Sequence, residues 1–234
     1  MALVFAVSSA ACKKDDGMSA PDKGDHNKAE ESKTDQAKKD TPAKAVEVPA
    51  QPDKAASGVP VLADTAGTYA IDNVHSSVIF RAKHFGVAYV YGSFNDVKGT
   101  IRIDADPAKS EVSVDIAAGR LYSGNKKRDD HLKGPDFLNV KQFPQITFKS
   151  KSVVQAGPGK YKVSGDITLH GVTKPASATF EHVGAGKHPM DPKVFMTGFH
   201  GTFTVKRSEF GMTHMLGGIS DEIDLTVSLE ATRK

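Results

Sequence analysis

Nine histidines are scattered along the chain, and histidine is the side chain best suited to metal ligation or proton transfer near neutral pH. Their spacing argues against both roles. His75 and His84 lie nine positions apart, which puts them on opposite faces of any straight strand that joins them. No His-x-His pair and no His-Glu-x-x-His helix signature is present, so no metal site is expected. Serine and aspartate are plentiful, but no Gly-x-Ser-x-Gly elbow, phosphate loop or dinucleotide fingerprint accompanies them. No catalytic residue and no cofactor is therefore expected. His170-Gly171 reads as turn chemistry at a strand end. Arg128 and Asp129 can meet a polar group at the edge of a fold, or pin a helix to it by charge-assisted hydrogen bonds.

The one cysteine, Cys12, is a candidate for a different chemistry. Ala2 to Ala11 is apolar or small throughout, too short to cross a membrane and suited to the apolar part of an export signal. Ser8-Ser9-Ala10-Ala11-Cys12 resembles a bacterial lipobox, with Ser9 where leucine is usual and no basic residue ahead of the apolar run. Residues 1–12 are read as signal and lipobox, with Cys12 the lipidated residue. Residues 13–60 follow as a tether of Lys, Asp, Glu, Ala, Pro and Ser, with nine lysines and ten acidic residues. Such a segment cannot bury enough apolar surface to offset its ordering entropy, so disorder is expected. The remaining 61–234 carries 22 basic and 18 acidic residues, a mild and dispersed excess. A nucleic-acid surface needs a concentrated basic stripe, so none is expected.

The elements in 61–234 are strands. Ile223, Leu225, Val227 and Leu229 alternate with polar residues, the mark of a half-buried strand. Val112, Val114 and Ile116 alternate likewise, as do Tyr161, Val163, Gly165, Ile167 and Leu169, and Phe199, Gly201, Phe203 and Val205. Further strands are expected at 68–72, 77–84, 91–103, 145–154 and 176–183. Asn125 is placed to cap a short helix over 126–132, with Gly134 and Pro135 ending it. The class is all-β, an antiparallel barrel with a short helical insert that closes one end. An eight-stranded barrel has room inside for packed side chains or for one slim ligand.

Motifs spread along this region name a family. They are Asp72-Asn73-Val74-His75-Ser76 with Phe80 and His84, then Gly92-Ser93-Phe94, then Arg128-Asp129-Asp130-His131-Leu132 leading to Asp136-Phe137. Phe143-Pro144-Gln145-Ile146-Thr147-Phe148 with Ser150, Gly165, and Thr168-Leu169-His170-Gly171-Val172-Thr173-Lys174 follow. Arg207, Glu209-Phe210-Gly211 and Asp221-Glu222-Ile223 complete the set. From Tyr69 to the C-terminus the chain resembles the YceI-like proteins of bacteria. The resemblance implies an eight-stranded lipocalin-like barrel in the periplasm, whose pore takes a polyisoprenoid or quinone-like tail, and it allows a homodimer. Together with Cys12 it suggests a membrane-anchored periplasmic lipoprotein.

The residues suit a long apolar ligand. Gly165, Ala176, Ala178, Gly198 and Gly201 are small and would leave room along the axis. Phe80, Phe94, Phe137, Phe148, Ala178, Phe180, Phe199 and Phe203 are the expected pore lining, with Phe137, Leu138 and Phe143 at the mouth. His75, His84 and Arg128 are the expected head-group or rim residues. Two other functions stay open: a side-chain-filled barrel that binds a protein through its surface, and a metal-assisted hydrolase.

Overall fold

The computed structural model describes residues 65–234. Cys12, the signal segment and the tether at 13–60 lie outside the described residues. Among the described residues no helix is long and apolar enough to cross a membrane.

Eleven strand segments form one sheet: β1 (Gly67–Ile71), β2 (Ser77–His84), β3 (Ala88–Phe94), β4 (Val97–Ile103), β5 (Glu111–Ala117), β6 (Leu121–Tyr122), β7 (Gln145–Gly157), β8 (Lys160–Leu169), β9 (Val172–Lys187), β10 (Phe195–Lys206) and β11 (Ile219–Arg233). The first six are three broken staves. β1 pairs with β4 while β2 pairs with β3, and β4 pairs with β5 while β3 pairs with β6. So β1 and β2, β3 and β4, and β5 and β6 are each the two halves of one long strand with an irregular corner. The result is an eight-staved antiparallel meander, closed where β11 meets β2 along its first half and β1 along its last. Closure pairs the long edges of the sheet with each other, and among the described strands the two-residue β6 is paired on one side only, to β3.

The period-two pattern sets which side faces in. Val112, Val114, Val163, Ile167, Val227 and Leu229 all point to the interior, with polar neighbours outside. One irregularity lies in β9, where Val183 is an extra residue between His182, opposite Phe199, and Gly184, opposite Gly198. On β10 the alternation is regular, so Thr197 and Phe199 share the inner face. Gly198, expected on the apolar face, lies between them and is out of phase with it.

Two tight turns need left-handed backbone. His170 and Gly171 both have positive φ (52° and 75°), as the β8–β9 hairpin requires. Phe85 and Gly86 do the same between β2 and β3.

The helix α1 (Lys126–Lys133) is capped by the Asn125 side chain, which accepts from the Arg128 N–H at 3.1 Å. It lies between β6 and β7, at the end of the barrel shared by the β2–β3, β8–β9 and β10–β11 connections; this is called the helix end. The 135–139 stretch forms turns and no second helix. At the opposite end Tyr69 is fully buried, donates to the Thr65 carbonyl at 2.6 Å and accepts from Arg233 at 2.7 Å.

Candidate ligand cavity

The interior of the barrel is not filled. A single cavity of about 580 Å³ runs between the walls, lined from every one of the eight staves and from the insert. Its wall is almost wholly apolar, including Val78, Ile101, Ile116, Val163, Leu225 and Leu229. Several inward residues, among them Phe148, Phe180, Phe199, Phe203 and Leu225, are only half-buried although they point away from solvent. Their exposed surface faces the lumen. In a dry core the same side chains would be covered by partners at interior density.

Glycine placement explains how phenylalanine can line a lumen without plugging it. Phe80 stands opposite Gly92 in the β2–β3 register, and its ring lies 2.3 Å from where a Gly92 Cβ would be. Phe180 stands opposite Gly201 and occupies the corresponding space, 2.6 Å away. A third ring, Phe148, comes within 2.8 Å of the Cβ position of Gly165. Each ring folds sideways onto the bare backbone of its neighbour. It covers that backbone and keeps off the barrel axis.

The expected lining residues Phe80, Phe94, Phe137, Phe148, Ala178, Phe180, Phe199 and Phe203 all contact this cavity. So do Ala176 and Leu138. Phe143 does not. Its ring packs edge-on against His170, 4.6 Å between centroids, and fills the space beside Gly171. Phe143 therefore anchors the insert to the β8–β9 turn rather than closing the mouth.

The expected rim residues divide. His84 and Arg128 line the cavity at the helix end. Arg128 is also tied down, with Nε donating to Ser123 Oγ at 2.8 Å and the guanidinium reaching the Ser123 carbonyl. Buried Asp129 accepts from the Ser123 N–H at 2.8 Å and from its hydroxyl. Both charges of this pair fix α1 to the wall.

His75 is misplaced by the sequence reading. It lies at the β1–β2 corner, where the broken stave turns, with its side chain 62% exposed and clear of the cavity. There its Nδ1 meets Asp72 at 2.6 Å and Glu230 at 3.7 Å. Burial alone would push the Asp72 carboxyl up, but hydrogen bonds from His75 and the Val74 N–H hold it below its ordinary value. The same Asp72 contact, with Glu230 adding charge, raises His75.

Some residues of the site were given no role by the sequence. Buried Arg207 donates to the carbonyls of Met212, His214, Ile219 and Ser220 and so shapes the β10–β11 loop. Burial lowers its pKa, and Asp221 partly offsets that. The loop brings Met212 and Met215 to the cavity wall. It also brings His214 close to His131 and Asp136, which the histidine spacing could not show.

Comparison with known proteins places this architecture. The YceI-like domain model matches residues 69–231. The chain belongs to the YceI-like family. A relative, a "UPF0312 protein" of Ectopseudomonas mendocina, is 38% identical over 172 residues, 72% of this chain and 89% of that protein. The YceI protein of Campylobacter jejuni, solved by crystallography, is 30% identical, with a TM-score of 0.58 over 65% of this chain and 90% of that one. A polyisoprenoid binding domain from Saccharophagus degradans shares the YceI-like fold at 13% identity, with a TM-score of 0.55 over 71% of this chain and 98% of that domain.

Proposed function

We propose that the barrel binds one long, slim apolar lipid of the polyisoprenoid or quinone-tail class, and holds or carries it rather than transforming it. The observation that supports this most is the open apolar lumen walled by half-buried phenylalanines. At about 580 Å³ it falls within the range of small-molecule sites, roughly 300–1,000 Å³. The lumen wall is apolar, so an occupant of matching chemistry removes that surface from water. Each buried methylene contributes about 0.8 kcal/mol, so a twenty-carbon chain gains roughly 16 kcal/mol against association costs of about 4–15. The polyisoprenoid binding of the Saccharophagus neighbour points to the same ligand class. The open lumen weighs against a side-chain-filled barrel that works only through its surface.

The lipobox-like run ending at Cys12 and the charged segment after it support a site of action in the periplasm, tethered to a membrane. Cys12→Ser is expected to move the protein from the membrane fraction to the soluble periplasm; unchanged pelleting contradicts the anchor.

Native mass spectrometry of the full chain, purified from a bacterial periplasm, tests the ligand class. The expected result is a stoichiometric adduct that extracts as an isoprenoid chain. A bare polypeptide mass, unaltered after incubation with quinone and polyprenyl phosphate, would contradict it.

A further inference from the structure

We infer that His131, Asp136 and His214 form a site for one divalent transition-metal cation, of the zinc class, at the helix end of the barrel. His131 lies in the last turn of α1, Asp136 in the turn after it, and His214 far along the chain in the β10–β11 loop. Their ligand atoms all lie within 4.8 Å of one another. The Asp136 carboxylate sits between the rings, with Oδ2 2.9 Å from His131 Nε2 and Oδ1 3.9 Å from His214 Nδ1. Two imidazole nitrogens and one carboxylate oxygen are the donor set of open zinc sites, which keep a fourth position for water or another ligand. Metal–donor distances of about 2.0–2.2 Å put tetrahedral donors roughly 3.4 Å apart. Side-chain rotations of about an ångström bring these three atoms to that spacing.

The surroundings hold the donors in place. The Phe137 ring makes edge contacts to both imidazoles, at 5.1 and 5.3 Å between centroids. The His214 carbonyl is fixed by Arg207 at 2.7 Å, so the loop offers its nitrogen from a set position, as an outer shell does in metal sites. The positive charge of Arg207 is spread over four carbonyls. His131 and Asp136 are about half-exposed, so an ion can reach them.

Asp72, His75 and Glu230 also come together, but there two carboxylates flank one imidazole that is already committed to Asp72 at 2.6 Å. That corner is an internal control. An ion on the first cluster would cross-link the helical insert to the β10–β11 loop, the two segments that close the helix end. The metal site does not depend on the lipid reading.

The test uses the full chain with Cys12→Ser, which removes the one thiol. Zn²⁺ is titrated calorimetrically into metal-free protein, and Co²⁺ absorption reports the coordination geometry. The expected result is one ion per chain, a tetrahedral cobalt spectrum and a rise in Tm with Zn²⁺. His131→Gln and His214→Gln should each weaken binding by more than the roughly 10–100-fold typical of losing an outer-shell partner. His75→Ala should leave binding unchanged, and circular dichroism confirms that each variant is folded. Absence of stoichiometric binding, binding that survives both glutamine variants, or binding lost with His75→Ala would overturn the inference.

Discussion

Filling the lumen from its wall separates ligand binding from fold stability. Ala178 lies on β9, opposite Val163, with its methyl group on the cavity. Ala178→Phe adds six carbons at that point. If they displace an equal length of lipid, about six methylenes lose their burial, roughly 5 kcal/mol. A lipid that slides along the lumen recovers part of that, so the expected loss of affinity is about 100-fold or more, or at least about 2.8 kcal/mol at about 1.4 kcal/mol per tenfold. The lipid-free protein should keep its Tm or gain slightly, because filling a cavity commonly adds about 0.5–2 kcal/mol. Displacement of a fluorescent polyene chain measures the first quantity, and thermal unfolding of delipidated protein the second. Unchanged affinity with an unchanged Tm would refute the assignment of the inner face. A collapse in Tm would show that the space beside Ala178 is not open.

Three other perturbations test separate parts of the structure. Gly201→Ala puts a methyl group 2.6 Å from the Phe180 ring, so the ring must swing into the lumen; denaturant unfolding should show a loss of about 1–3 kcal/mol, whereas Gly184→Ala, which meets nothing within 4 Å, should not. Asp129→Ala strands the Ser123 N–H and hydroxyl; the expected cost is about 1–3 kcal/mol, with a Tm lower by about 2–4 °C per kcal/mol for a domain of this size. The Asp72–His75 pair gives a pH dependence with opposite signs on its two sides. Its contribution is present between the ordinary carboxylate and imidazole values, about 3.9 and 6.5. It is lost as pH falls through the lowered Asp72 pKa or rises through the raised His75 pKa. His75→Ala should flatten the Tm profile above pH 6.5, and an unaltered profile would show that the corner is not held by this contact.

The parts of the fold legible in the sequence are those set by local period and local capping. Alternation in Tyr161–Leu169 and Ile223–Leu229 gave the strands and their inner faces, and Asn125 gave the start of α1. The 91–103 segment was legible as β but not as two pieces, because its break at residues 95–96 matches the corner at 72–76 in the stave beside it, a matter of pairing between strands. The place of Gly198 follows from period alone, since it is one residue out of step with Phe199, Gly201 and Phe203; what the period could not show is the extra residue in β9, which belongs to its pairing with β10. Phenylalanines could be assigned inward but not as wall or plug. That depends on which glycine stands opposite, a matter of register between strands. His75 was expected at the rim, and the corner at 72–76 between β1 and β2 carries it away from the lumen. His214 could not be linked to His131 at all, as the contact joins the helical insert to the last loop of the barrel.

Whether a long apolar molecule occupies the barrel is answered most directly by crystallography of protein purified from a bacterial periplasm without added lipid. The expected result is continuous elongated density along the axis, in contact with Phe148, Phe180, Phe199 and Leu225 and ending near His84 and Arg128. Density only for ordered water, or side chains folded inward until the lumen is closed, would contradict lipid binding as the work of this barrel.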